Sequence, residues 1–211
     1  MYSGNIIPEK TIERLSEYRR VLLRLKDNGL THLYSHTLAA KLGITAVQVR
    51  RDLMLIGFSS DTKRGYEIEN LIEFIGQVLD DDNIINVAVV GMGKLGQAIT
   101  RYFTGKRAKL KIVCAFDNDP RKIDAILNDV KCYNIEQFNQ IIKEQNVRML
   151  ILCLPSNEAR RLVPDIINSG VHGILNFTSA YLNFPPEIYV EDYDIITLLE
   201  KVAYFVKNSK D

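Results

Sequence analysis

Asn86-Val87-Ala88-Val89-Val90-Gly91-Met92-Gly93-Lys94-Leu95-Gly96 is the stretch on which the fold turns. Its first half is a short apolar run rich in valine, the composition of a strand buried on both faces of a parallel sheet. Its second half is G-x-G-x-x-G, set between that strand and a helical segment that continues to about Phe103. The glycine spacing alone is a weak signal; directly after a strand and opening a helix, it acquires a mechanism. Gly91 permits the tight strand-to-helix turn, Gly93 lets the backbone approach a pyrophosphate, and Gly96 lets the helix pack close to the strand. Met92, Lys94 and Leu95 complete the loop and helix start, where free backbone N–H groups favour phosphate.

Downstream, Leu110 to Phe116 is a second strand, closed by Asp117-Asn118-Asp119-Pro120. Asp117 lies about 20 residues past the glycine turn, where an acid hydrogen-bonds the ribose hydroxyls of NAD. Its charge would repel the 2′-phosphate of NADP, so NAD or NADH is the expected ligand. Met149 to Leu154 and Gly173 to Phe177 are further strands, with helical stretches around 135–145 and 157–169 between them. The alternation predicts a parallel α/β sheet of the Rossmann doubly wound type. Pro155 and Phe177-Thr178-Ser179 follow strand ends, where ligands bind in open α/β sheets. Asn118 sits beside the ribose acid. No hydride-transfer constellation accompanies the site: His172, the one histidine of this region, lies in the turn Ser169-Gly170-Val171-His172-Gly173. No catalytic residue and no metal site is assigned. The segment from Asp192 to Lys207 reads as a helix more apolar than a lone surface helix, and is expected to pack against a second subunit.

Upstream, Pro8 to about Asn28 is an amphipathic helix. Ser35 is the expected cap of a second helix that Gly43 breaks, and Thr45 the cap of a third, Ala46 to about Ile56. Tyr66-Glu67-Ile68 reads as a short strand and Asn70 to Leu79 as another helix. Helices followed by a turn and a hairpin describe a winged helix-turn-helix. In such a unit the second helix of the motif enters the major groove of double-stranded DNA. Gln48 can pair with adenine, and Arg50 or Arg51 with guanine or phosphate. The two arginines point about 100° apart on a helix, so one can face DNA while the other anchors on Asp52, phosphate or the core. A three-helix packing module with a charged surface fits the same pattern. Asp80-Asp81-Asp82-Asn83 is read as a solvated linker, giving domains at 1–79 and 84–190 and a terminal helix at 191–211.

The chain has 211 residues, 46% hydrophobic, with a net charge of +1. That near-neutral sum hides a basic first third, from Arg14, Arg19, Arg20 and Arg24 to Lys63 and Arg64. A local basic segment on a neutral chain points to a local polyanion site. The three cysteines, Cys114, Cys132 and Cys153, have no metal-binding spacing. No apolar run approaches the roughly 18 residues that span a bilayer, and the amino terminus has no apolar signal core, so the expected location is cytoplasmic and membrane-free.

At this level of detail the chain resembles the Rex family of bacterial redox-sensing transcriptional repressors. The matching stretches are Ile7-Pro8 with Thr11-Ile12-Glu13-Arg14-Leu15 and Tyr18; Leu38-Ala39 with Leu42-Gly43-Ile44; Val49-Arg50-Arg51-Asp52-Leu53; the glycine loop with Tyr102; Ala115-Phe116-Asp117-Asn118-Asp119-Pro120; Leu152-Cys153-Leu154-Pro155; and Gly173-Ile174-Leu175-Asn176-Phe177 with Leu182-Asn183-Phe184-Pro185. The resemblance implies a homodimer with the C-terminal helix swapped between subunits. It implies that NADH closes the Rossmann domains and releases operator DNA, with Arg20, Tyr102 and Asp194 exchanging partners between the two states. It brings departures as well. Met54-Leu55-Ile56 replaces a Ser-Tyr-Phe type run, Asp61-Thr62 takes the place of a basic pair at the wing, and Ile195 stands where some members carry an aromatic residue against the nicotinamide. Two alternatives stand beside the repressor: an NAD-dependent oxidoreductase with an accessory helical domain, and a diverged paralogue with an altered DNA or NADH response.

Overall fold

Hydrophobic clusters form separately in the two parts of the chain, one in the helical first third and one on each face of the sheet in the strand-rich remainder. The computed structural model describes residues 7–59, 64–103 and 108–208. Backbone contacts divide the chain into Met1–Asp81 and Asp82–Asp211.

In the first unit, α1 (Glu9–Asp27) buries Leu15, Tyr18, Leu22 and Leu25 as one stripe at helical spacing. Pro8 stands just outside it as the N-cap. After β1 (His32–Leu33) comes α2 (Ser35–Leu42), which Gly43 ends in the left-handed conformation. Ser35 is the first helical residue and not the cap; Tyr34 takes that place, without a side-chain hydrogen bond. Thr45 does cap α3 (Ala46–Leu55), its hydroxyl accepting the Gln48 N–H. β2 (Tyr66–Glu67) pairs antiparallel with β1, His32 opposite Glu67 and Leu33 opposite Tyr66. Ile68 opens α4 (Ile68–Leu79) and does not extend the strand. Phe58 makes edge-on ring contacts with Tyr66 and Phe74, which seats this small sheet on the helices.

The second unit runs β3 (Ile85–Val90), α5 (Lys94–Phe103), β4 (Leu110–Asp117), β5 (Ile126–Leu127), β6 (Val130–Asn134), a 3-10 turn (Ile135–Gln137), α6 (Phe138–Glu144), β7 (Val147–Leu152), α7 (Ser156–Asn168), β8 (Gly173–Asn176), β9 (Tyr189–Asp192) and α8 (Ile195–Asn208). Among the described residues, a seven-stranded sheet has the order β5-β6-β4-β3-β7-β8-β9. All neighbours are parallel except β5 and β6. The order reverses between β3 and β7, which opens a crevice at the strands' carboxyl ends. Alternate residues of β3 feed opposite faces: Ala88 and Val90 join the core under α6 and α7, while Val87 and Val89 join the core with Ile99 of α5. Three short strands, β5, β6 and β9, escape the sequence pattern. Lys131 and Glu191 interrupt their apolar residues, and two to five residues carry little period. Asp192 therefore ends a strand, where the sequence suggested the start of a helix; the helix begins at Ile195.

Candidate functional sites

A cavity of about 560 Å³ opens at the carboxyl ends of β3, β4 and β7. Gly91, Gly93, Asp117, Asn118, Lys122 and Pro155 line it among others. The loop's geometry explains its glycines. Gly91 has φ +96°, and a Cβ there would lie 2.7 Å from the Cys153 carbonyl oxygen. A Cβ on Gly96 would collide with the Gly91 carbonyl oxygen, whereas one on Gly93 would meet nothing within 4 Å. Gly93 thus leaves open space where a phosphate would approach, and Gly96 allows the close return of α5. Lys94 and Leu95 begin α5, where N–H groups have no partner within the helix. The Met92 N–H is different: it donates to Asp117 Oδ2 at 2.8 Å. Met92 is fully buried, so it ties the loop to β4 and is not aimed at phosphate.

Asp117 is more engaged than its sequence position suggests. Besides Met92, its Oδ1 accepts the Asp119 N–H at 2.9 Å, and its Oδ2 accepts from Lys122 Nζ at 2.9 Å. Burial raises its carboxyl pKa, but the hydrogen bonds from Lys122, Asp119 and Met92 outweigh burial and hold it below the ordinary value. It therefore stays an anion able to accept ribose hydroxyls. Lys122, which no motif singles out, partly neutralises that charge. Asn118 reaches across the crevice to Glu158 of α7. The donors, the open glycine and the crevice together fit a dinucleotide.

Thr178 and Ser179 lie with Pro155 and Phe177 around a second cavity of about 290 Å³ on the β8 side. The loop carrying them is pinned by Asn176, 1% exposed, whose Nδ2 donates to the Ala180 carbonyl and to Asp192. Its Oδ1 accepts from both the N–H and the hydroxyl of Thr178. Cys153 beside the first cavity has its thiol pushed up to about 12 by burial, so it is neutral and weakly nucleophilic.

In the first unit, α2, the Gly43 turn and α3 place Thr45, Arg50 and Arg51 on exposed positions. Arg50 Nη1 donates to Ser35 Oγ at 3.1 Å, which joins the start of α2 to α3. Arg64 is exposed at the approach to β2, while Lys63, Asp61 and Thr62 lie outside the described residues. Two expectations change. Neither Arg50 nor Arg51 anchors on Asp52; Arg14 of α1 does, with Nε at 2.6 Å and Nη2 at 2.7 Å. Gln48 bonds to the same carboxylate, its Nε2 donating to Asp52 Oδ1 at 2.9 Å; its amide carries a second N–H and an acceptor oxygen besides. Nor is Asp80 part of a solvated run: Arg19 Nη1 holds both of its oxygens at 2.7 Å. Of the three switch candidates, Arg20 and Tyr102 are exposed on α1 and α5. Asp194 accepts from the Ile196 N–H and the Thr197 hydroxyl at the start of α8.

Residues 82–180 match the family described as "CoA binding domain", and residues 6–53 match one described as "Putative DNA-binding protein N-terminus". The chain is 34% identical over 202 residues to the redox-sensing transcriptional repressor Rex of Listeria welshimeri, spanning 96% of this chain and 94% of that protein. It is 33% identical over 205 residues to the protein of the same name from Lactobacillus acidophilus, spanning 97% of each. Among solved structures it is similar to RSP, a Rex-family repressor, in complex with β-NAD+ and operator DNA: 28% identity and a TM-score of 0.87 over 96% of this chain and 94% of that one. The complex of RSP with β-NADH gives a TM-score of 0.84 at the same identity, over 96% and 95%.

Proposed function

The chain belongs to the Rex family of redox-sensing transcriptional repressors, and on that premise we propose that it is a homodimeric repressor released from operator DNA when NADH fills the crevice beside Gly91. It acts as a regulator and not as an enzyme, in line with the names of its relatives. The observation that carries this function is the union, on one chain, of an exposed basic helix-turn-helix with a glycine-loop crevice faced by an ionised Asp117.

The assignments follow from that union. Gly93, Lys94 and Leu95 face the pyrophosphate and Asp117 the adenosine ribose, with Gly91, Gly96 and Met92 shaping the loop. Asn118 and Pro155 flank the crevice, and Phe177, Thr178 and Ser179 receive the nicotinamide end. Thr45, Arg50, Arg51 and Ser35 meet phosphate or base edges, with Arg64 at the wing. Arg20, Tyr102 and Asp194 form the element whose partners differ between the free and NADH-bound states.

A second copy is supported by α8. It buries none of its residues, and Ile196, Leu199, Val202, Phe205 and Val206 are each about 60% exposed or more. Such a contiguous apolar stripe marks an interface. Met149, Leu175 and Phe177 on the α5 face of the sheet are only half-buried and need a cover of the same kind. Among the described residues no helix is long and apolar enough to cross a membrane. Operator DNA and the NADH pool meet in the cytoplasm, which is the location this function requires.

The test is titration of an operator fragment, obtained by genomic footprinting, with the full-length protein with and without NADH. Weaker binding with NADH is expected; equal affinity in both conditions rejects the sensor.

A further inference from the structure

Resting on the dinucleotide-sensing function proposed above, we infer that Tyr193 is a specificity-determining residue that reads the redox state of the nicotinamide ring and weights the site toward the oxidised form. By the fold's rule the dinucleotide crosses the sheet at the β3/β7 reversal, adenosine beside Asp117 and nicotinamide on the far side. The cavity of about 290 Å³ lies on that far side, lined by Pro155, Ser156, Phe177, Ser179, Tyr193 and Ile195 among others.

Its walls divide by chemistry. The rings of Phe177 and Tyr193 lie 5.4 Å apart, tilted by 50°, and form an aromatic wall. The hydroxyls of Ser156 and Ser179 are 2.9 Å apart and join the start of α7 to the loop after β8. That pair can both donate to and accept from a carboxamide. Tyr193 is fixed by backbone, its N–H donating to the Asn176 carbonyl at 2.8 Å just past the end of β9. Asn176 also holds Asp192 and the Thr178–Ala180 loop, so one buried amide sets both sides of the cavity.

The oxidised nicotinamide ring is a cation and the reduced ring is neutral. An aromatic face attracts the cation beyond the stacking that it gives either form. The Asp194 carboxylate borders the same cavity and acts in the same direction. Tyr193 therefore strengthens NAD+ binding more than NADH binding, and raises the NADH/NAD+ ratio at which DNA is released.

Calorimetric titration of the full-length protein with NADH, NAD+ and ADP-ribose, which lacks the nicotinamide, tests this with Tyr193→Val and Tyr193→Phe. In Tyr193→Val the NAD+ affinity is expected to fall about tenfold and the NADH affinity by less, with ADP-ribose unchanged. Tyr193→Phe, which keeps the ring, is expected to bind all three as the parent does. An equal loss for all three ligands makes Tyr193 a structural residue and overturns the inference. So does an unchanged NAD+ affinity, or an NADH loss equal to or larger than the NAD+ loss. A parent protein that binds none of the three overturns the sensor function itself, an outcome separate from any of these.

Discussion

Arg14 on α1 and Asp52 on α3, 38 positions apart in sequence, are joined by two hydrogen bonds of 2.6 and 2.7 Å. The Tyr18 hydroxyl donates to the same carboxylate at 2.6 Å, and Gln48 to its other oxygen. Asp52 is only 2% exposed, so α3 is docked by a buried charge whose acceptor sites are filled. The helix proposed to enter the major groove is thus held by the residue directly after its two exposed arginines.

Removing that charge has a large cost. Asp52→Ala leaves Arg14 half-buried and Tyr18 without its acceptor, a loss of about 3 kcal/mol for a broken buried pair. Chemical denaturation followed by circular dichroism is expected to show the loss in the first unit. Arg51→Ala, on an exposed position, is expected to leave stability within about 0.5 kcal/mol of the parent while weakening operator binding. If Arg51→Ala unfolds the protein, Arg51 is a structural residue.

Acid should act through the same carboxylate. Burial pushes the Asp52 carboxyl up, but hydrogen bonds from Arg14, Tyr18 and Gln48 outweigh it and hold the folded value below the ordinary one. On unfolding it returns to about 3.9. Its stabilising contribution is therefore complete above about pH 4 and disappears as the pH falls through the folded value. Asp117 shifts in the same direction. Melting temperatures measured from pH 7 to pH 2 are expected to drop steeply below about pH 4, and less steeply in Asp52→Asn.

The glycine loop allows a paired test. Gly96→Ala drives a Cβ into the Gly91 carbonyl, a backbone atom with little room to yield. A destabilisation of about 3 kcal/mol is expected, at the upper end for overpacking. Gly93→Ala meets nothing within 4 Å, so folding should be unaffected while NADH affinity falls on the order of tenfold as the methyl takes the pyrophosphate's space. Melting curves and NADH titration separate the two, and an unaltered NADH affinity in Gly93→Ala would remove the phosphate role from this loop.

Asp117→Asn keeps an acceptor for the Met92 N–H but loses the charge that Lys122 faces. The fold is expected to persist, with NADH affinity reduced on the order of tenfold by loss of the charged ribose acceptor. NADPH affinity is expected to rise toward that of NADH, because the charge opposing a 2′-phosphate is gone and Lys122 is released. Parallel titrations with the two reduced dinucleotides measure it; no gain for NADPH would mean that shape, not charge, excludes the 2′-phosphate.

The terminal helix carries the last test. Leu199→Glu places a charge in the apolar stripe of α8, where the parent side chain is 59% exposed in the single chain. Sedimentation velocity is expected to show the parent as a dimer and the variant as a monomer that still binds NADH weakly. A variant that stays dimeric moves the interface elsewhere.

The sequence by itself determined the fold class, the glycine loop and the position of Asp117. Each of these is written locally: an apolar run of four residues, a spacing of glycines, an acid at a strand's end. The apolar helix at the carboxyl end was legible for the same reason, since helical periodicity needs only neighbours in the chain. What only the tertiary structure decided were the pairings made across long separations. Nothing in the spacing of Arg14 and Asp52 indicates that they meet, nor that Tyr18 shares the same carboxylate. Tyr193 gains its place beside Phe177 only once β8 and β9 lie in register, whereas Lys122 meets Asp117 five residues away through the turn that follows β4. The strands β5, β6 and β9 are illegible because so short a strand is stabilised by its neighbour's backbone, and a hydrogen bond to another strand leaves no period in the sequence.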